Sequence, residues 1–181
     1  MVKSAFSHVE HWVFDLDNTL YPPSARLFDQ IEAKMVAYVM ETLGIDHGAA
    51  DKLRGDYWRN HGTTLAGLMA DHDIDPEPYL VAVHDITLDH LEVDAALAAH
   101  IAALPGRKIV YTNGSAPYAT RVLAARGLSG PPGPSSTNLH IAPGAVTPAE
   151  LMRDIKSGLY VTELIGSGAN IHLDQLSATD A

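Results

Sequence analysis

The chain reads as an α/β protein whose strand-bearing core is interrupted by a long helical insertion. Three observations predict this. The apolar run Trp12-Val13-Phe14 ends abruptly in Asp15-Leu16-Asp17-Asn18-Thr19, as a buried strand does on reaching the rim of a sheet. A second, β-branched run, Arg107–Tyr111, leads into Thr112-Asn113-Gly114-Ser115 and then into a helical stretch. Between the two, from about Tyr21 to Ala103, apolar residues recur at helical spacing.

In chain order, the first strand and its acidic loop occupy Val9 to Leu20. Tyr21-Pro22-Pro23 is a turn, with Ser24 placed to cap a helix. Beyond it Leu27, Phe28, Ile31, Met35, Tyr38 and Val39 form an apolar stripe that Gly44 stops. Further helices are expected over Ala49–Asn60, Thr63–Asp71, Glu77–Val83 and Asp94–Leu104, their stripes belonging to a core. Asp71-His72-Asp73-Ile74-Asp75 reads as an exposed loop. After the second strand Ser115 caps a helix that carries Pro117 in its first turn and ends at Gly127. Gly130–Ser136 is dense in Pro, Gly and Ser and reads as a linker. A short helix over Pro148–Gly158 and a strand over Leu159–Ile165 are expected to follow.

Composition limits what the chain binds. It has 181 residues, 46% of them hydrophobic and 19% charged, with a formal net charge of −10. That size and balance suit one ordinary domain with an insertion. The negative charge argues against a nucleic-acid polymer or an anionic membrane surface, which call for a basic footprint. A small phosphorylated substrate remains compatible where local cations offset the field. With no cysteine, disulfides, thiolate nucleophiles and zinc-thiolate sites are excluded. No apolar run is long enough to span a bilayer and the N-terminus lacks a secretory pattern, so a cytoplasmic protein is expected.

Asp15 and Asp17 are the candidate catalytic residues. Side chains two apart on an extended segment point the same way, so the two carboxylates can share a site. Held together they repel unless a cation or a proton sits between them. A calcium loop counted from Asp15 would need Gly and Glu where Leu20 and Arg26 stand, so that reading fails. Magnesium-assisted phosphoryl transfer suits the pair better: one carboxylate attacks and the other handles protons. Thr112, Asn113 and Gly114 form the companion phosphate-binding loop, because backbone N–H groups and a helix N-terminus both favour an anion there. The ten histidines are scattered, and Gly166-Ser167-Gly168 lacks the third glycine of a dinucleotide loop, Ile171 standing in its place.

Phe14–Tyr21 taken with Tyr111–Ser115 resembles the haloacid dehalogenase superfamily of phosphatases. Tyr57-Trp58-Arg59 and Gly62–Leu68 are similar to its pyrimidine 5′-nucleotidase branch. The resemblance covers about residues 9–129. It implies a doubly wound, Rossmann-like parallel sheet core (1–20 plus 102–129) and a helical cap (21–101) that selects the substrate, here a phosphate monoester such as a nucleoside monophosphate. It also implies that Asp15 is the nucleophile that becomes an aspartyl-phosphate and that Asp17 is the proton donor and acceptor. Asp15 and the Asp17 backbone carbonyl would ligate Mg2+, and Thr112 would hold the phosphoryl group.

The family's later lysine and the acids that complete its metal shell do not follow Thr112 in the expected arrangement. The only later lysine is Lys156, and Asp174 is the nearest approach to a late acid. Instead, Pro131–Ile171, with Ser135–Leu139 and Gly158–Gly166, resembles part of the TldD/PmbA metallopeptidase family, without its zinc-binding helix. The expectation is a chimera: a truncated phosphatase core joined to an unrelated tail (130–181). Its activity would be impaired, the alternative being an inert remnant and, less favoured, a metallopeptidase fragment. A core shortened after Gly127 should also leave a bare strand edge, with marginal stability or self-association, unless the tail covers it.

Overall fold

The computed structural model describes residues 9, 11–129 and 139–141. These form a mixed α/β structure, mostly helical, built on a small parallel sheet. Strand β1 (His11–Phe14) lies parallel to β2 (Arg107–Val110), with His11 opposite Arg107 and Phe14 opposite Val110. The Tyr111 amide extends the ladder by donating to the Phe14 carbonyl at 2.8 Å. Both chains therefore leave the sheet side by side, and the Asp15 and Thr112 loops emerge at the same end. This parallel pairing is the part of the expected core that is realised; the full doubly wound sheet is not seen among the described residues.

The far edge of β2 is not bare. Leu139–Ile141 forms β3, parallel to β2, with Lys108 opposite Leu139 and Val110 opposite Ile141. Of the two outcomes expected for this edge, the structure shows cover by the tail: Leu139–Ile141 supplies backbone partners to the central strand. The helix expected over Pro148–Gly158, the strand over Leu159–Ile165, Lys156 and Asp174 lie outside the described residues.

Five helices fill the connection between β1 and β2. They are α1 (Leu27–Leu43), α2 (His47–His61), α3 (Thr64–His72), α4 (Pro76–Val83) and α5 (Ala95–Ala102); α6 (Ala116–Ala125) follows β2. Among the described residues the expected helices form, with ends displaced by one to a few residues. Asp46, Thr63, Asp75, Asp94 and Ser115 cap α2 to α6 by accepting a backbone N–H with their side chains. Ser24 does not cap α1. Pro23–Ala25 is already wound into a 3-10 turn, and Arg26, at φ 52°, precedes the helix without a side-chain cap. Pro23 pre-sets the helical φ, so coiling begins one residue before the expected cap and uses Ser24 internally. Gly44, at φ 66°, closes α1 as expected.

Burial follows the stripes. Leu27, Ile31 and Val39 of α1 join Tyr57, Leu65, Leu68, Tyr79, Leu80 and Val83 in one core that continues into Val110, Tyr118, Val122, Leu123 and Leu128. The segment Asp71–Asp75 is largely exposed, as expected, with its first two residues closing α3 and the rest turning the corner into α4. Asp73 sits at φ 54° at the end of α3, Asp75 caps α4, and His72 Nε2 lies 2.8 Å from the Tyr57 hydroxyl. Among the described residues no helix is long and apolar enough to cross a membrane.

Helices α2 and α3 meet at Gly67, where a methyl group would stand 2.2 Å from Tyr57 Cγ. A Gly-to-Ala change inside a helix ordinarily stabilises by about 1 kcal/mol. At this position overpacking against a buried ring reverses the sign. We expect Gly67→Ala to lower stability by about 1–3 kcal/mol, read as a lower denaturant midpoint with an unchanged m-value.

Candidate active site

The acidic loop turns sharply after β1. The amides of Thr19 and Leu20 both donate to the Leu16 carbonyl, at 3.2 and 3.0 Å, and Asn18 takes φ 56°, a conformation its side chain tolerates better than most. Leu16 is fully buried and Leu20 nearly so. These two apolar anchors hold the loop against the core and present Asp15 and Asp17 at the rim on either side of Leu16.

Asp17 is the better-bonded acid. Its Oδ1 accepts the Tyr21 hydroxyl at 2.7 Å and the Tyr118 hydroxyl at 2.8 Å, and its Oδ2 accepts the Thr112 hydroxyl at 3.5 Å. Thr112 is itself buried, and its Oγ1 accepts the Gly114 amide at 3.1 Å, which curls the second loop toward the acids. Asp15 as a residue is exposed and accepts the Thr19 hydroxyl at 3.1 Å. Its carboxyl is nonetheless held above the ordinary aspartate pKa, chiefly by partial desolvation and further by the Asp17 charge. The Leu16 backbone N–H and the Thr19 hydroxyl pull the other way. The structure thus brings Asp15, Asp17, Thr112, Asn113 and Gly114 to one end of two adjacent strands.

Tyr21 and Tyr118 were not among the sequence candidates. Both phenols are buried, their oxygens 3.4 Å apart, and both titrate above the ordinary tyrosine range, first from desolvation and then from the Asp17 charge. Their sequence signal is only their place, Tyr21 four residues after Asp17 and Tyr118 in the first turn of α6. His84, at the end of α4, stacks on Tyr118 with ring centroids 4.5 Å apart. It is buried, lies 2.8 Å from the Leu80 carbonyl through Nδ1, and is held below the ordinary histidine pKa chiefly by desolvation.

Cations that follow Thr112 in the described chain serve the fold. Arg121 donates to the carbonyls of His84 and Ile86. Arg126 is buried and donates to the Leu20 and Glu92 carbonyls and to the Asp94 carboxylate. Among the described residues neither Asp15 nor Asp17 has an ion-pair partner. No group of three or more His, Cys, Asp or Glu able to hold a metal occurs among them either.

One family model matches the chain: residues 113–178 match the PmbA/TldA metallopeptidase C-terminal domain. The match covers about a third of the sequence. It begins earlier than the Pro131 boundary drawn from the sequence, taking in Asn113, Gly114 and all of α6. The tail resemblance is therefore supported and extended. Asp15, Asp17 and Thr112 lie outside the match.

The raised Asp15 pKa has a measurable consequence. A carboxyl whose folded pKa exceeds its unfolded value binds more protons when folded, so its ionisation opposes folding as pH rises above about 4. Asp15→Asn removes that charge. We expect the variant to unfold at a higher temperature than wild type at pH 7, with the difference shrinking toward zero below about pH 4.

Proposed function

We propose that the rim site hydrolyses phosphate monoesters through a covalent phosphoryl-aspartate on Asp15. The observation that carries this reading is the convergence of Asp15, Asp17 and Thr112 at the same end of two adjacent parallel strands, with Thr112 Oγ1 3.5 Å from Asp17 Oδ2. Hydroxyl and amide donors at the Thr112 loop suit a phosphoryl group, and the two carboxylates divide attack from proton handling. The resemblance of both loops to haloacid dehalogenase phosphatases, of the 5′-nucleotidase type, supports the same chemistry.

In this reading an Asp15 carboxylate oxygen attacks phosphorus as the bond from phosphorus to the ester oxygen breaks. Asp17, protonated, gives its proton to the departing alkoxide. A water then attacks phosphorus, its proton passes to Asp17, and the Asp15–phosphorus bond breaks to release inorganic phosphate and restore both acids. The donor set fits a hard divalent cation: the partly desolvated Asp15 carboxylate, crowded by the Asp17 charge, and the Asp17 backbone carbonyl are oxygen ligands. Mg2+ bound there would supply charge neutralisation for the transferring phosphoryl group. With Arg121 and Arg126 engaged elsewhere, no described cation does so, and turnover should be slow, by about 10²–10³ relative to a site with a full complement of donors.

The family match favours a second reading, in which the chain carries a segment of PmbA/TldA C-terminal type and its activity is that of a metallopeptidase fragment. One assay separates the two. Phosphate release from nucleoside monophosphates and an aryl phosphate is measured with magnesium and with chelator, beside Asp15→Asn. The phosphatase reading expects magnesium-dependent turnover that falls at least about a thousandfold in the variant. A folded wild-type chain without turnover, or zinc-dependent peptide cleavage unaffected by Asp15→Asn, would overturn it.

A further inference from the structure

The two tyrosine hydroxyls on Asp17 are arranged asymmetrically, and this assigns separate tasks to its two oxygens. Tyr21 and Tyr118 both donate to Oδ1, at 2.7 and 2.8 Å, whereas the only described hydroxyl at Oδ2 is that of Thr112, at 3.5 Å. An oxygen that already accepts two short hydrogen bonds is poorly placed to carry a proton toward a third group. Oδ2 is also the oxygen on the side of the phosphate-binding loop. We propose that Tyr118, with Tyr21, is a positioning residue that saturates Asp17 Oδ1 and so presents Oδ2 as the proton-transferring atom. This rests on the phosphoester reading above and goes beyond it, because it assigns a task to two residues that act through their hydrogen bonds to Asp17.

The Tyr118 ring is itself clamped. His84 stacks on it at 4.5 Å with planes 17° apart, and its Nδ1 is tied to the Leu80 carbonyl. Gly114 leaves the room the ring needs, since a methyl group there would approach Tyr118 Cδ1 to 2.7 Å. Tyr118 belongs to α6 of the core and His84 to α4 of the insertion, so the aim of Asp17 is fixed jointly by both. A carboxylate whose donors are preset needs no reorganisation when the leaving group departs.

Leaving-group dependence provides the test. A nucleoside monophosphate expels an alkoxide that needs the proton, whereas 4-nitrophenyl phosphate expels a phenolate that is stable without it. The quantity to compare is kcat/KM, which reports the first phosphoryl transfer and not the later hydrolysis at Asp15. For Tyr118→Phe, shown to be folded by its thermal transition, kcat/KM should fall at least about thirtyfold on the nucleotide and no more than about threefold on the aryl ester. Tyr21→Phe, which leaves the His84 stack untouched, should give the same selective loss. Equal losses on both esters, or none on either, would overturn the positioning role and leave the phosphatase reading standing. Absence of wild-type turnover on both esters would overturn that reading and the role with it.

Discussion

A half-buried carboxylate must be matched by donors, and in this protein that requirement at Asp17 ties together residues far apart in sequence. Its partners come from the loop after β1, the loop after β2 and the first turn of α6. None of these is charged, so the negative charge is held by oriented hydroxyls rather than neutralised. The neighbouring Asp15 has its pKa raised chiefly by desolvation, and the Asp17 charge adds to that. The two acids thus form one site in both geometry and electrostatics.

Helix α6 is the element through which the insertion is fastened to the sheet. Arg121 reaches the carbonyls at the end of α4, while Arg126 reaches Leu20, Glu92 and Asp94 from a buried position. Leu20 ends the acidic loop and Asp94 caps α5, so one guanidinium ties together the acidic loop and the entry to the last inserted helix. A bare carbonyl at such a place would carry a desolvation cost, and a planar multidentate donor relieves several at once. The same commitment withholds these cations from the acids. Here the fold and the chemistry compete for positive charge, and among the described residues the fold takes it.

The match to the PmbA/TldA C-terminal domain begins inside the loop that completes the rim site. The stretch from Asn113 to about Ser129 therefore carries both resemblances at once. β3 shows that the division is not a simple juxtaposition, because Leu139–Ile141 pairs with the central strand of the sheet that carries the acids. The boundary suggested by the Pro- and Gly-rich stretch after Ser129 marks a change in composition. It does not mark the end of the structure to which the first part belongs.

Much of this was legible from the chain. Binary pattern gave the two strands and the inserted helices, because 3.6-residue and two-residue periods are imposed by local geometry. The stop at Gly44 and the Ser115 cap followed from rules that act within a single turn, and the spacing of Asp15 and Asp17 singled out the acids that stand at the rim of the sheet. Where local rules competed, as at Pro23 and Ser24, the reading missed by a few residues. Three things needed the tertiary structure: the pairing of Leu139–Ile141 with β2, the commitment of Arg121 and Arg126 to backbone carbonyls, and the convergence of Tyr21 and Tyr118 on Asp17 with His84 stacked on Tyr118. Each depends on contacts between residues distant along the chain. A tyrosine in an amphipathic helix has the same pattern whether it fills a core or aims a carboxylate, and only packing decides which.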